Sequence, residues 1–198
     1  MNKQDVIFLQ TKFPEASFLT LTNLSATTDG KDRCLNTTDH VHAAFLQAVD
    51  FDKVKEKWYQ SRFHDQVKSC DALYYQDGDY YLLEFKTGHV DGLDVFRKIY
   101  DSIIGLMEHG KLTLEECRRQ LNVILIANNA ENSPNAPLSK HLQKLTKWRY
   151  SMNKAFLKSL KDNDIRRLTN FLVKWAYRMT PDDFEAFVQD KGWSNNNT

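Results

Sequence analysis

Residues 70–87 constrain this chain more than any other stretch. Cys-Asp-Ala-Leu-Tyr-Tyr-Gln (70–76) and Asp-Tyr-Tyr-Leu-Leu-Glu-Phe-Lys-Thr (79–87) are both rich in β-forming residues, and only Asp77-Gly78 separates them. A two-residue Asp-Gly link between such runs is a tight hairpin signal, because Gly tolerates positive φ. With an ideal turn, Asp71 falls opposite Glu84 across the pair. Alternation along the returning strand puts Lys86 on the face of Glu84 and turns Phe85 into the core. A carboxylate and an ammonium that close an otherwise apolar run (Tyr81-Leu82-Leu83) do not serve packing.

Two carboxylates that converge repel each other unless a cation sits between them. Oxygen ligands suit Mg²⁺ or Mn²⁺ rather than zinc. Such an ion polarises a phosphate and lowers the pKa of a bound water, and a neighbouring ammonium stabilises charge growing on phosphorus or orients the water. The competing explanation is a surface hairpin with an ordinary ion pair, worth little energy.

The flanking pattern supplies context. Thr38 or Asp39 is expected to cap a helix running to about Tyr59, with Val41, Ala44, Phe45, Ala48, Phe51 and Val54 on one side. After Gly88, Leu93, Val95, Phe96, Ile99, Ile103, Leu106 and Met107 recur at helical spacing up to Gly110. Asn122 to Ala127 is a short β-type run. A strand–helix–strand passage of this length predicts a parallel crossover. Residues 1–37 give no clear pattern, with loop signals at Phe13-Pro14 and at 25–30.

Asp71 together with Glu84-x-Lys86 resembles the signature of the PD-(D/E)xK nuclease superfamily, an acid opening one core strand and an acid-x-Lys on the next. The resemblance covers roughly residues 38–128, and Glu84-Phe85-Lys86-Thr87-Gly88 is similar to the acid-x-Lys-Thr-Gly segment of RecB-type nucleases. It implies a restriction-endonuclease-like α/β core (helix, β-meander, helix, strand), with Asp71, Glu84 and Lys86 as catalytic residues and Asp71 and Glu84 as metal ligands. Many members add an acid from the first helix; Glu56 is the choice here and Asp52 its competitor. Cys70 stands where the family name has Pro. Phe63 to Lys68 is the only candidate for the first meander strand. The RecB-type Gln-x-x-x-Tyr is incomplete, since Tyr100 is present but Phe96 replaces Gln.

After Pro134 and Pro137 the chain reads as wholly helical. Lys140, Lys144, Lys147, Lys154, Lys158 and Lys161 form one stripe at helical spacing, with Leu142, Leu145, Met152, Phe156 and Leu160 opposite. From Ser139 to Arg178 there are eleven Lys or Arg against two acids, a net +9; the remaining sixteen basic and twenty-four acidic residues give −8. A lysine ridge suits a phosphate backbone without base reading. An ordinary solvated helix face explains it equally well. Asn163 or Asp164 is expected to start a further helix through Trp175. Thr180-Pro181-Asp182-Asp183 starts the last one.

The 198 residues suffice for one compact domain. The expected organisation is an N-terminal segment (1–37), a nuclease-like core (38–130), a basic helical extension (131–193) and a disordered tail (194–198). Three cysteines without zinc spacing, no signal peptide and no apolar run of membrane length point to a reducing, cytoplasmic setting. His40-x-His42 spacing separates the rings on a helix, and His64 and His89 read as loop residues. The leading expectation is a Mg²⁺- or Mn²⁺-dependent nuclease, with DNA favoured over RNA as partner. Its alternatives are a non-catalytic nucleic-acid-binding module on the same fold and a protein-interaction accessory of a defence or mobile-element system. A homodimer or a protein partner is compatible with each.

Overall fold

A computed structural model of the chain describes residues 3–27, 30, 32–59, 67–88, 90–128 and 172–193. The hairpin forms as its sequence dictates. Strands β3 (Ala72–Gln76) and β4 (Asp79–Lys86) pair antiparallel from Gln76↔Asp79 to Ala72↔Leu83. Asp77 and Gly78 both take positive φ, +53° and +85°, as a type I′ turn requires.

Around this hairpin lies a mixed α/β fold with one six-stranded sheet in the order β1-β2-β3-β4-β5-β6. The other strands are β1 (Phe18–Thr20), β2 (Gln47–Asp50), β5 (Leu121–Ala127) and β6 (Trp175–Met179). The first four run antiparallel in chain order, while β4, β5 and β6 are parallel. β4 is therefore the strand where the pairing sense changes, and its carboxyl end lies beside those of β5 and β6. The crossover from β4 to β5 carries α4 (Gly92–Glu108) and α5 (Leu114–Gln120). A capping box of Thr113 and Glu116 starts α5.

Two elements differ from expectation. The predicted helix over 38–59 is a turn at 41–45, then β2, then a helix α3 confined to Phe51–Trp58. Asn36 Oδ1 accepts from the amides of Thr38 and Asp39, which fixes a local turn instead of a helix start. Asp50 is the true cap, accepting from Lys53 N at 3.1 Å. Ala48 and Val49 are buried by pairing with β1 and β3, whereas Val41 and Phe45 stay exposed. β2 thus precedes β3 in the meander, the place expected for Phe63–Lys68; residues 63–66 lie outside the described residues.

Trp175–Met179, expected within a helix of the basic extension, is β6, and it extends the sheet in register with β5. Ala176 on one face and Tyr177 and Met179 on the other are all buried, which a strand covered on both sides allows and a single helical stripe does not. The predicted cap does form. Thr180 and Asp183 make a capping box, with Pro181 opening the last helix, α6 (Pro181–Asp190). Residues 172–193 therefore belong to the sheet core and not to a purely helical extension. Among the described residues two helices precede β2: α1 (Lys3–Lys12) and α2 (Leu21–Leu24).

The two sheet faces are covered by different elements. Tyr81, Phe187 of α6 and Trp193 cluster on one face, with rings of Tyr81 and Trp193 4.6 Å apart. On the other face α4 packs Val95, Ile99, Ile103 and Leu106 into the core. Among the described residues no helix is long and apolar enough to cross a membrane.

Candidate active site

The β3–β4 register places Asp71, one step before β3, opposite Glu84. The contact is tightened by the backbone: Phe85 N donates to Asp71 Oδ2 at 2.7 Å. Alternation brings Lys86 back to the face of Glu84, where its Nζ lies 3.2 Å from Glu84 Oε1. The three residues singled out in the sequence therefore meet at the carboxyl end of β4. Open α/β sheets commonly bind ligands beyond that end of their strands.

Glu84 is the floor of the site. Its side chain is 0% exposed, and its buried Oε2 has no hydrogen-bond partner among the described residues. Burial, then the charge of Asp71, pushes its carboxyl up to about 8. Asp71 is also raised, first by burial. Lys98 and the Phe85 amide oppose that rise, and the charge of Asp52 adds to it.

Helix α4 contributes residues that the hairpin pattern did not reveal. Lys98 Nζ bridges the acids, 3.3 Å from Asp71 Oδ1 and 2.8 Å from Glu84 Oε1. Asp94, one turn earlier, accepts from Lys86 Nζ at 3.1 Å. Burial works against both ammonium groups, but the carboxylates around them outweigh it and hold Lys98 and Lys86 above their ordinary pKa. The sequence signal was the Asp94-x-x-x-Lys98 spacing, which puts both side chains on one face at 3.6 residues per turn.

The same register runs on across the sheet. Glu84 aligns with Leu125 of β5 and Leu125 with Arg178 of β6, so one row on one face carries Asp71, Glu84, Leu125 and Arg178. Burial lowers the guanidinium pKa of Arg178, and no carboxylate among the described residues pairs with it.

Glu56 does not join the site. It pairs with Lys53 at 2.7 Å on the exposed side of α3, because positions 53 and 56 face outward while Phe51 and Val54 are buried. Its competitor Asp52 faces the correct way and accepts from Ser69 Oγ, two residues before Asp71. Lys140, Lys144, Lys147, Lys154, Lys158 and Lys161 lie outside the described residues. His40 and His42 serve a structural tie instead, bonding Asp182 and Glu185 of α6 at 3.2 and 2.6 Å.

Does this donor set suit a divalent ion? Two carboxylates converge, one with an orphaned buried oxygen, and both resist ionisation in the absence of added positive charge. Among the described residues no group of three His, Cys, Asp or Glu side chains forms a closed cage. Such a site fits Mg²⁺ or Mn²⁺, which take one or two carboxylates and complete their shell with water and phosphate oxygens. No family model matches this chain, no curated protein matches it, and no solved structure matches it.

Proposed function

We propose that this chain is a metal-dependent nuclease of the PD-(D/E)xK superfamily, built on a restriction-endonuclease-like core, that hydrolyses phosphodiester bonds in nucleic acid, DNA more than RNA. The observation that carries the reading is the convergence of Asp71, Glu84 and Lys86 around a buried carboxylate oxygen that no group among the described residues satisfies. The order of meander, helix and parallel strand supports the family assignment.

Asp71 and Glu84 would hold the ion, with Mg²⁺ or Mn²⁺ supplying Lewis acidity toward the phosphate and a more acidic water. The residues of the chain do the rest. Lys86, held charged by Glu84 and Asp94, is too strong a proton holder to act as a base near neutral pH. Its role is to orient the water or to stabilise charge on the phosphate as the bond to the attacking oxygen forms. The Phe85 amide fixes Asp71, and burial keeps the floor of the site dry. Arg178 offers a cation to a flanking phosphate along the same row.

Lys98 favours one second reading. Its ammonium already bridges both acids and offsets part of their charge, as in a non-catalytic nucleic-acid-binding module on the same fold. Incubating the protein with supercoiled plasmid, linear duplex, single-stranded DNA and RNA, with Mg²⁺, Mn²⁺ or EDTA, separates the two. Metal-dependent cutting supports the nuclease. Salt-sensitive binding without cutting in any metal supports the module and overturns the nuclease.

A further inference from the structure

Two lysines reach the Asp71–Glu84 pair, and they are not equivalent. Lys86 touches Glu84 and is tied on its other side to Asp94. Lys98 instead lies between the two carboxylates, 3.3 Å from one and 2.8 Å from the other. Its ammonium stands where the two acids jointly demand positive charge, which is also where they would hold a divalent ion. An ammonium and a doubly charged ion a few ångströms apart repel, so they do not share these oxygens without cost.

The backbone of α4 is pinned at this point. Ser102 Oγ donates to Lys98 O at 2.7 Å and accepts from Cys70 N at 2.9 Å. Asp101 Oδ2 accepts from Lys68 N at 2.9 Å. The turn of helix bearing Lys98 is thereby fixed to the segment that leads into Asp71. The long side chain is not fixed in the same way. It is 19% exposed and carries its ammonium on a four-carbon stem, so leaving the carboxylates requires a change of side-chain torsions and not a movement of the helix. Even in place it leaves Glu84 Oε2 without a partner among the described residues.

We propose that Lys98 is a built-in counter-ion that competes with the divalent ion for Asp71 and Glu84, so that loading of the metal and release of Lys98 are one event. The inference rests on the metal-dependent reading above. It has a consequence for substrate. The released ammonium is left to an anionic group, so a phosphate that takes it up strengthens metal binding, and by linkage the metal strengthens phosphate binding. Lys98 is in this sense a regulator of site occupancy, whereas Lys86 belongs to the charged machinery.

The test is calorimetric titration of the full chain with Mn²⁺ alone, on the parent, Lys98→Met and Lys98→Gln, beside the melting temperature of each without metal. Removing the competitor is expected to tighten Mn²⁺ binding roughly tenfold while lowering the metal-free melting temperature. Lys98→Gln keeps an amide donor toward Glu84 and serves if Lys98→Met does not fold. A merely structural lysine would instead lose stability and bind Mn²⁺ equally or more weakly; that result overturns the inference. A parent that binds Mn²⁺ and cuts, with variants no tighter, sinks this inference alone. A folded parent that binds no Mn²⁺ sinks it together with the nuclease reading.

Discussion

Asp71 Oδ2 accepts a hydrogen bond from the amide of Phe85 at 2.7 Å, so the residue between Glu84 and Lys86 in sequence also anchors the acid facing them. That geometry depends on a hairpin closed by two residues with positive φ. Gly78, at +85°, has open space around a hypothetical Cβ, so a side chain there meets strain but no clash. Gly78→Ala is expected to lower unfolding free energy by about 1 kcal/mol. Urea denaturation checks this, with a lowered midpoint at unchanged slope.

Much of the hairpin was legible because its information is local. The Asp-Gly turn fixed the register, and the register placed Asp71 against Glu84. The crossover helix and parallel β5 were legible from periodicity. By contrast, residues 38–59 carry apolar spacing that suits either a helix or a turn and strand. Sheet pairing of Ala48 and Val49, together with the cap at Asp50, decides between them. β6 was hidden for a similar reason: its burial comes from pairing with β5, far away in sequence. Lys98 could not be placed from the hairpin at all, since its role depends on how α4 lies across β4. Glu56 failed because the outward face of α3 is set by Phe51 and Val54, whose burial is tertiary.

Glu185 ties α6 to the turn at 41–45. Its carboxylate accepts from the amides of His42 and Ala43 at 3.0 and 2.8 Å and from Gln189 at 3.0 Å. Burial alone would raise its pKa, but these hydrogen bonds outweigh burial and hold it below the ordinary value of 4.5. A carboxyl with a depressed folded pKa contributes stability above its unfolded pKa, and that stability is lost as pH falls through the folded one. Glu185→Ala is expected to cost about 1–3 kcal/mol at neutral pH. Melts at descending pH should show the parent losing its advantage over Glu185→Ala in acid.

Glu84 has the opposite sign. Its folded pKa is raised from 4.5 to about 8, so the metal-free fold is most stable below the lower value and loses stability as pH rises toward the upper one. Glu84→Gln should flatten that part of the profile. Added Mn²⁺ should reverse the loss in the parent and leave the variant unchanged. Melting curves with EDTA or Mn²⁺ across this range measure both.

Arg178 should act on affinity and not on the chemistry. Arg178→Ala is expected to weaken binding of a labelled duplex in EDTA and to reduce the salt dependence by about one phosphate contact. Anisotropy titrations over a series of salt concentrations read the slope directly.

The central claim is that Asp71, Glu84 and Lys86 form one hydrolytic site. The most direct measurement is the rate of Mn²⁺-dependent nucleic-acid cleavage by the parent beside Asp71→Asn, Glu84→Gln and Lys86→Met, each verified as folded. The account predicts cutting that EDTA abolishes and that every one of the three substitutions slows by about a hundredfold or more. Folded variants that cut as fast as the parent would contradict it.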